Sequence, residues 1–304
     1  MNTMKLISGV FIFFLLLFGC EYVTNNDQVI DTEGITVAED EAFSLKSAEV
    51  AEEEAQSVAF SVDLKTESSF GINDGSYFCA RFFPSCATVT VSGETYPKEI
   101  IVEFGEDCVD RSGNERTGTI IINISDTIKN EGAVLTVEFD SVFFRNRLIE
   151  RYMVMENLGT NDAGNWVMSI KDTATISYGD TAKSVRISSY EQEWISGFGT
   201  PQHDDDIFFK TGSGTITINE EAVFTKNIVE PLLIDRSCGY IISGIMEITK
   251  DDNVMTIDFG DGTCDSEATV TKDDSTEVID LATCKFKGKF DREHHRSNQR
   301  YGWW

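Results

Sequence analysis

Ile120-Ile121-Ile122-Asn123-Ile124 and Val134-Leu135-Thr136-Val137-Glu138-Phe139, separated by the turn signal Asn130-Glu131-Gly132, decide the fold. Both stretches are rich in β-branched residues, and alternation of apolar and polar positions at a period of two predicts a half-buried strand. Glycine beside asparagine and glutamate is typical of a tight turn. The pattern predicts a β-hairpin. It recurs at 173–178, 215–218 and 255–259.

The connections between these predicted strands are short, with turn signals such as Ser112-Gly113-Asn114, Asp162-Ala163-Gly164 and Asp251-Asp252-Asn253. Short connections join antiparallel neighbours, whereas parallel strands need a long crossover for which the sequence leaves no room. We therefore predict an all-β fold, an antiparallel meander or sandwich of roughly a dozen or more strands.

An internal repeat sharpens this prediction. Ser85-Cys86 opens one predicted hairpin that returns through Phe104-Gly105 to Cys108, and Ser237-Cys238 opens another that returns through Phe259-Gly260 to Cys264. In each copy the two cysteines lie at the open end of the same hairpin. The repeat predicts the disulfides Cys86–Cys108 and Cys238–Cys264.

Cys79 and Cys284 flank the repeats, and apart from Cys20 they complete an even set of six cysteines. They can pair with each other and tie the start of the domain to its end. The alternative is a local bridge between Cys79 and Cys86, which leaves Cys108 to find another partner. No Cys-x-x-Cys or cysteine–histidine cluster favours zinc.

Charge divides the chain into segments. Residues 1–19 form a predicted signal peptide, and residues 20–56 carry eleven acids and one lysine, the composition of a solvated acidic tether. Alanines and a valine at helical spacing allow a short helix there. Residues 57–290 form the β domain, in one unit or two subdomains, and residues 291–304 form a basic and aromatic tail. The net charge of −27 opposes binding to nucleic acid.

The first residues form a secretory signal, with Lys5 followed by an apolar run too short to cross a membrane comfortably. Leu17-Phe18-Gly19-Cys20 resembles the lipobox of bacterial lipoproteins. The resemblance implies that residues 1–19 are removed and that Cys20 is lipidated. With the acidic tether and the disulfide-containing β domain, the chain resembles Gram-negative cell-envelope lipoproteins, which implies a lipid anchor in the outer membrane, facing the periplasm or the outside.

Asp258-Phe259-Gly260-Asp261-Gly262-Thr263 resembles the aspartate-glycine turn of PKD-like β-sandwich modules. Asp258, Asp261 and Asp265 are a weak candidate calcium site, since hard cations require oxygen ligands. The simpler interpretation is a turn in which glycine supplies a positive φ. We expect no cofactor other than this candidate calcium.

Two further segments are interpreted as surface features. His203-Asp204-Asp205-Asp206 carries potential metal or base chemistry, but its glycine and proline neighbours favour an exposed acidic loop. Lys285–Trp304 interleaves cations with aromatic residues, a mixture that binds anionic polymers or settles at a membrane interface. The alternative is an unstructured terminus in which Lys285–Phe290 finishes the last strand.

No nucleophile elbow, zinc-protease motif or phosphate-binding loop occurs in the chain. We therefore expect a non-catalytic binding or structural module, held to the membrane through Cys20, with an envelope protein or a glycan as its partner. One alternative is a polymer-degrading hydrolase that uses an Asp/Glu pair. The other is a calcium-stabilised adhesion module.

Overall fold

The computed structural model describes residues 32–67 and 83–281, apart from short gaps at 85, 106, 110–114, 145–146, 180–181 and 201–203. The described residues form one long helix followed by thirteen strands. The elements are α1 (Thr32–Glu67), β1 (Ala87–Ser92), β2 (Lys98–Phe104), β3 (Arg116–Ile124), β4 (Val134–Phe144), β5 (Arg147–Thr160), β6 (Trp166–Tyr178), β7 (Ala182–Ser196), β8 (Ile207–Ile218), β9 (Ala222–Asp235), β10 (Ile241–Lys250), β11 (Asn253–Asp261), β12 (Glu267–Lys272) and β13 (Ser275–Asp280).

The strands form a single open sheet in which each strand pairs antiparallel with its neighbours in sequence, from β1 to β13. The predicted all-β antiparallel fold is confirmed, and of the two predicted architectures the meander is the one present. The strand that contains Ile120–Ile124 pairs with the one that contains Val134–Phe139, with Ile122 opposite Val137. Short turns thus build the whole sheet from local pairings.

Helix α1 lies against one face of the sheet and is almost enclosed by it. The six consecutive residues Asp40–Leu45 are all buried, and at about 100° per residue they sweep the full circumference of a helix. The half-buried positions Thr36, Glu39, Lys46, Val50 and Glu53 follow one stripe at helical spacing. The sheet therefore curls around the helix and leaves that one stripe less covered. No helix in the described ranges is long and apolar enough to span a membrane.

This helix is longer than the short helix that the sequence allowed within the predicted tether at residues 20–56, and its burial differs from that of a solvated segment. It is 36 residues long and passes through the predicted boundary at residue 57 into the segment assigned to the β domain. The physical reason is that its carboxylates are buried against cations of the sheet. A helix that is buried all round also lacks the apolar stripe by which sequence reveals an amphipathic helix.

Bulges with glycine interrupt the strands where the sheet bends. Gly118 lies at a register shift between β3 and β4, and Gly244 lies at one between β10 and β11. Both have a positive φ, and a Cβ on either would collide with a carbonyl of the neighbouring strand, that of Ser141 or Pro231. Bulges increase local bending and twist, which allows the sheet to wrap around α1.

Both predicted disulfides are confirmed. Cys86 and Cys108 are bonded with their Cα atoms 5.4 Å apart, and Cys238 and Cys264 are bonded with their Cα atoms 5.6 Å apart. Each bridge closes the open end of a hairpin, as the repeat predicted. Cys20, Cys79 and Cys284 lie outside the described residues, as does the signal peptide.

Candidate functional site

The face of the sheet that contacts α1, here called the inner face, carries cations among its apolar side chains. Eight of these cations and two carboxylates are buried, and α1 contributes five buried carboxylates of its own. We call these groups the axial network. The inward cations are Lys98, Arg116, Arg147, Arg151, Arg186, Lys210, Lys226 and Arg236, the inward acids are Asp172 and Asp206, and the helix acids are Asp40, Glu41, Glu49, Glu52 and Glu54.

In the first half of the helix, Glu41 joins two strands. Its carboxylate lies 2.6 Å from Lys226 Nζ on β9 and 3.4 Å from Arg186 Nε on β7. Burial opposes the charge of Lys226, yet the Glu41 carboxylate raises the pKa of that amine above its usual value. The neighbouring Asp40 lies 4.0 Å from Arg147 on β5, and burial raises the pKa of its carboxyl.

In the second half, Glu52 and Glu54 repeat this arrangement. Lys210 Nζ on β8 donates to both oxygens of Glu52 at 3.1 and 3.2 Å, and Gln192 on β7 donates to the same carboxylate. Arg116 on β3 forms a two-pronged pair with Glu54, in which Nη2 lies 3.1 Å from Oε2. Two-pronged pairs of this kind are the stronger charge-assisted hydrogen bonds.

The remaining inner groups extend the network between strands. Arg151 on β5 lies 3.0 Å from Asp172 on β6 and donates to the Ser47 hydroxyl of α1 at 3.3 Å. Burial raises the pKa of Asp172 against the opposing attraction of Arg151. Arg236 lies 2.7 Å from Asp206 and donates to Gln56 of α1. The helix is thus bound by charged or polar contacts to β3, β5, β7, β8, β9 and the turn after β9.

Aromatic side chains close the interior near the end of α1. Phe198 stacks on Trp166 at 4.8 Å and meets Trp194 at 5.4 Å and Phe60 of the helix at 5.7 Å. The Arg236 guanidinium lies over the Trp194 ring at 5.2 Å. The inner face is therefore occupied by the chain itself, and a site accessible to a partner has to be sought on the opposite, outer face.

A concavity of about 470 Å³, here called the outer groove, opens on the outer face across β5 to β9. Its centre follows from the strand register, because Val167, Glu193 and Phe209 are direct neighbours on β6, β7 and β8. Apolar side chains and carboxylates line it together. The lining residues are Leu158, Thr160, Asn161, Val167, Glu191, Glu193, Phe209, Thr211 and Pro231.

Glu193 is held in place by the turn between β5 and β6. Asn165 and Asn161 donate to its Oε1 at 2.7 Å and 2.8 Å. These two amide hydrogen bonds, that of Asn165 first, hold the pKa of Glu193 below its usual value. An apolar floor beside a fixed carboxylate suits a ligand with an apolar body and a cationic or hydrogen-donating group.

Each of the three candidate calcium residues accepts a hydrogen bond from a residue two positions later in the chain. Asp258 accepts a hydrogen bond from the Gly260 amide, and Asp265 accepts one from the Glu267 amide. Asp261 accepts from both the amide and the hydroxyl of Thr263, which lowers the pKa of its carboxyl. Within residues 32–67 and 83–281, gaps excepted, no group of three His, Cys, Asp or Glu side chains is placed to hold a metal ion.

The predicted acidic loop, 203–206, has both exposed and buried acids. Asp204 and Asp205 are exposed, as expected, but Asp206 turns inward and pairs with Arg236. His203 and the residues from 282 onward, which include the basic and aromatic tail, lie outside the described residues.

Sequence reasoning missed both the axial network and the outer groove. The network does leave a signal, since Arg147 and Arg151 alternate in phase with the buried Ile149, Met153 and Met155. Cations on the apolar phase of a strand require buried anions. The groove leaves no such signal, because it depends on the register of several strands at once.

No protein-family model, curated protein or solved structure matches this chain.

Proposed function

We propose that the protein is a lipid-anchored outer-membrane protein that acts as a non-catalytic binding module, with the outer groove as its binding surface. The observation that carries the proposal is the pairing of apolar lining with the fixed Glu193 carboxylate on hydrogen-bonded strands. A rigid scaffold that presents a few fixed polar groups over apolar surface suits recognition. The partner expected is an envelope protein or a glycan that offers cationic or hydrogen-donating groups.

The proposed anchor fits the position of α1. Cys20 precedes the helix by a short segment, and the helix is bound to five strands and the turn after β9 through the axial network. A lipid on Cys20 would therefore hold the β domain close to the membrane through a rigid core element. Replacement by Cys20→Ala is expected to move the protein from the membrane fraction to the soluble fraction, and retention in the membrane would contradict the anchor.

The groove geometry supports binding more than hydrolysis. Glu191 and Glu193 form its carboxylate pair, and a hydrolase of the two-carboxylate class needs one carboxyl with a raised pKa as its general acid. Glu193 is the more covered of the two, and hydrogen bonds lower its pKa. That shift keeps the group charged, which suits a binding contact.

The test is crosslinking in intact cells with affinity recovery and mass spectrometry. Three chains are compared: the unmodified protein, the groove variant Glu193→Gln/Phe209→Ala, and the control Glu138→Gln/Tyr152→Ala on the outer face away from the groove. We expect an envelope partner that the groove variant loses and the control retains. Recovery of the same partner from the groove variant, or of none from the unmodified protein, would contradict the proposal.

A further inference from the structure

We propose that the outer groove is occupied by the chain's own C-terminal segment, residues 285–304. This inference rests on the proposed function, because it names the occupant of the same groove and makes it a tethered competitor for the partner. Three observations carry it: the place where β13 ends, the charge of the surface between that place and the groove, and the composition of the segment.

The segment begins at the same end of the sheet as the groove. Because neighbouring strands are antiparallel, β5, β7, β9, β11 and β13 all finish at one end. The groove is lined by the last residues of β5, including Leu158 and Thr160, and by the first residues of β8. At that end β13 finishes and the Leu281 amide donates to Ser266.

The segment is long enough to reach the groove. Four strand spacings separate β13 from β9, or about 19 Å at ~4.8 Å each. An extended chain spans about 3.3 Å per residue, so residues 282–304 can cover about 75 Å. Even β5, at the far side of the groove, lies within that length.

The surface along this path is negative. Exposed carboxylates of Asp280, Glu267, Asp258 and Glu230 lie on β13, β12, β11 and β9, before Glu191 and Glu193 in the groove. At the end of the sheet where β13 finishes, two described basic side chains belong to β5–β13 and their turns. They are Lys210 and Arg236, and both are buried. The described acids of this path therefore outnumber its exposed cations, of which Lys171 on β6 lies two positions along the strand from Ser169, the residue paired with Glu191.

The composition of the segment complements that surface. It carries six cations against two acids: Lys285, Lys287, Lys289, Arg292, Arg296 and Arg300 against Asp291 and Glu293. Its aromatic residues include Trp303 and Trp304 at the end of the given chain. Aromatic side chains are favoured anchors in apolar pockets with a charged rim, and Leu158, Val167 and Phe209 supply such a pocket.

The experiment is photo-crosslinking in the full chain, with Trp303 replaced by p-benzoylphenylalanine. We expect a crosslink within one molecule to peptides that contain Leu158, Val167 or Phe209. Its yield should fall about fivefold in Glu191→Gln/Glu193→Gln, because two attractions to the cationic segment are lost. The control Glu138→Gln/Glu150→Gln removes two outer carboxylates away from the groove and should leave the yield unchanged.

Other outcomes would overturn the inference. A crosslink to a different surface places the segment elsewhere, and a crosslinked dimer whose yield rises with protein concentration makes the occupant a second copy. A crosslink to another envelope protein makes the segment itself a partner site. If the crosslink maps elsewhere while the groove variant still loses its envelope partner, this inference fails alone. If the crosslink maps to the groove but no partner depends on it, the proposed function fails alone.

Discussion

The two faces of strand β7 differ in the sign and the burial of their polar side chains. Toward the helix, Arg186 and Gln192 are buried and contact carboxylates of α1. Toward the outside, Glu191 and Glu193 line an open groove, and Glu193 is held by neutral amides. The chain's net charge of −27 therefore conceals a basic inner face of the sheet, with eight buried cations against two buried acids. The comparison teaches that the inner charges are paired within the fold, whereas the outer ones lie at the surface, where the proposed partner would reach them.

The largest effect is expected from Glu41→Ala on the inner face. The change leaves Lys226 and Arg186 buried without their shared carboxylate, and breaking a buried pair costs about 3–5 kcal/mol. Urea unfolding followed by circular dichroism measures the free energy of unfolding. Glu53→Ala, on the half-covered stripe of the same helix, is the matched control and should change it by less than about 0.5 kcal/mol. Equal losses in both variants would contradict a special role for the buried carboxylate.

The adjacent residues Phe208 and Phe209 separate the two faces most cleanly. Phe208 is fully buried on the inner side, so Phe208→Ala is expected to cost about 3–5 kcal/mol of stability. Phe209 lines the outer groove, so Phe209→Ala should cost less stability and should lose the proposed envelope partner. Unfolding and partner recovery are measured on both variants. A larger stability loss from Phe209→Ala would reverse the assignment of the two faces.

The sequence was sufficient for the strands but not for what they enclose. Alternation at Ile120–Ile124 and Val134–Phe139 predicted the hairpins, and the Ser-Cys repeat predicted both disulfides, because each of these features depends on nearby residues. The sequence allowed a short helix within residues 20–56, but the length and burial of α1 were not predicted, since acids such as Glu41 and Glu52 are typical of solvated segments. Their burial depends on cations more than a hundred residues away. The groove likewise depends on register across β5 to β9.

A smaller effect is expected at alkaline pH. Burial, first among the causes, raises the pKa of the Tyr178 hydroxyl to about 12, above its unfolded value of about 10. The unfolded state therefore loses this proton first, and stability present below pH ~10 falls by about 2–3 kcal/mol as the pH rises to ~12. Lys226, whose pKa is also raised, adds loss in the same direction.

Unfolding free energies measured across this pH range check the prediction. Tyr178→Phe keeps the ring over Arg147 and should flatten the alkaline loss. Tyr152→Phe, at an exposed outer position, should leave it intact. If Tyr178→Phe loses as much stability at alkaline pH as the unmodified protein, the loss does not come from the Tyr178 hydroxyl.

The smallest effect on stability is expected from Glu193→Gln. An outer carboxylate hydrogen-bonded to one exposed and one half-buried asparagine side chain contributes little to folding, so the free energy of unfolding should be unchanged within error. Recovery of the proposed envelope partner should nevertheless fall. A substantial loss of stability with undiminished partner binding would place Glu193 with the structural charges of the inner face.

The most direct test of the central claim is native-state amide hydrogen exchange of the protein, measured along residues 32–67. A helix that forms the core of the sheet is predicted to exchange as slowly as β5 to β8, through global unfolding. Glu41→Ala should accelerate exchange in the helix and in these strands together. Rapid exchange of residues 32–67, in a protein whose strands remain protected, would show a solvated tether and contradict the account.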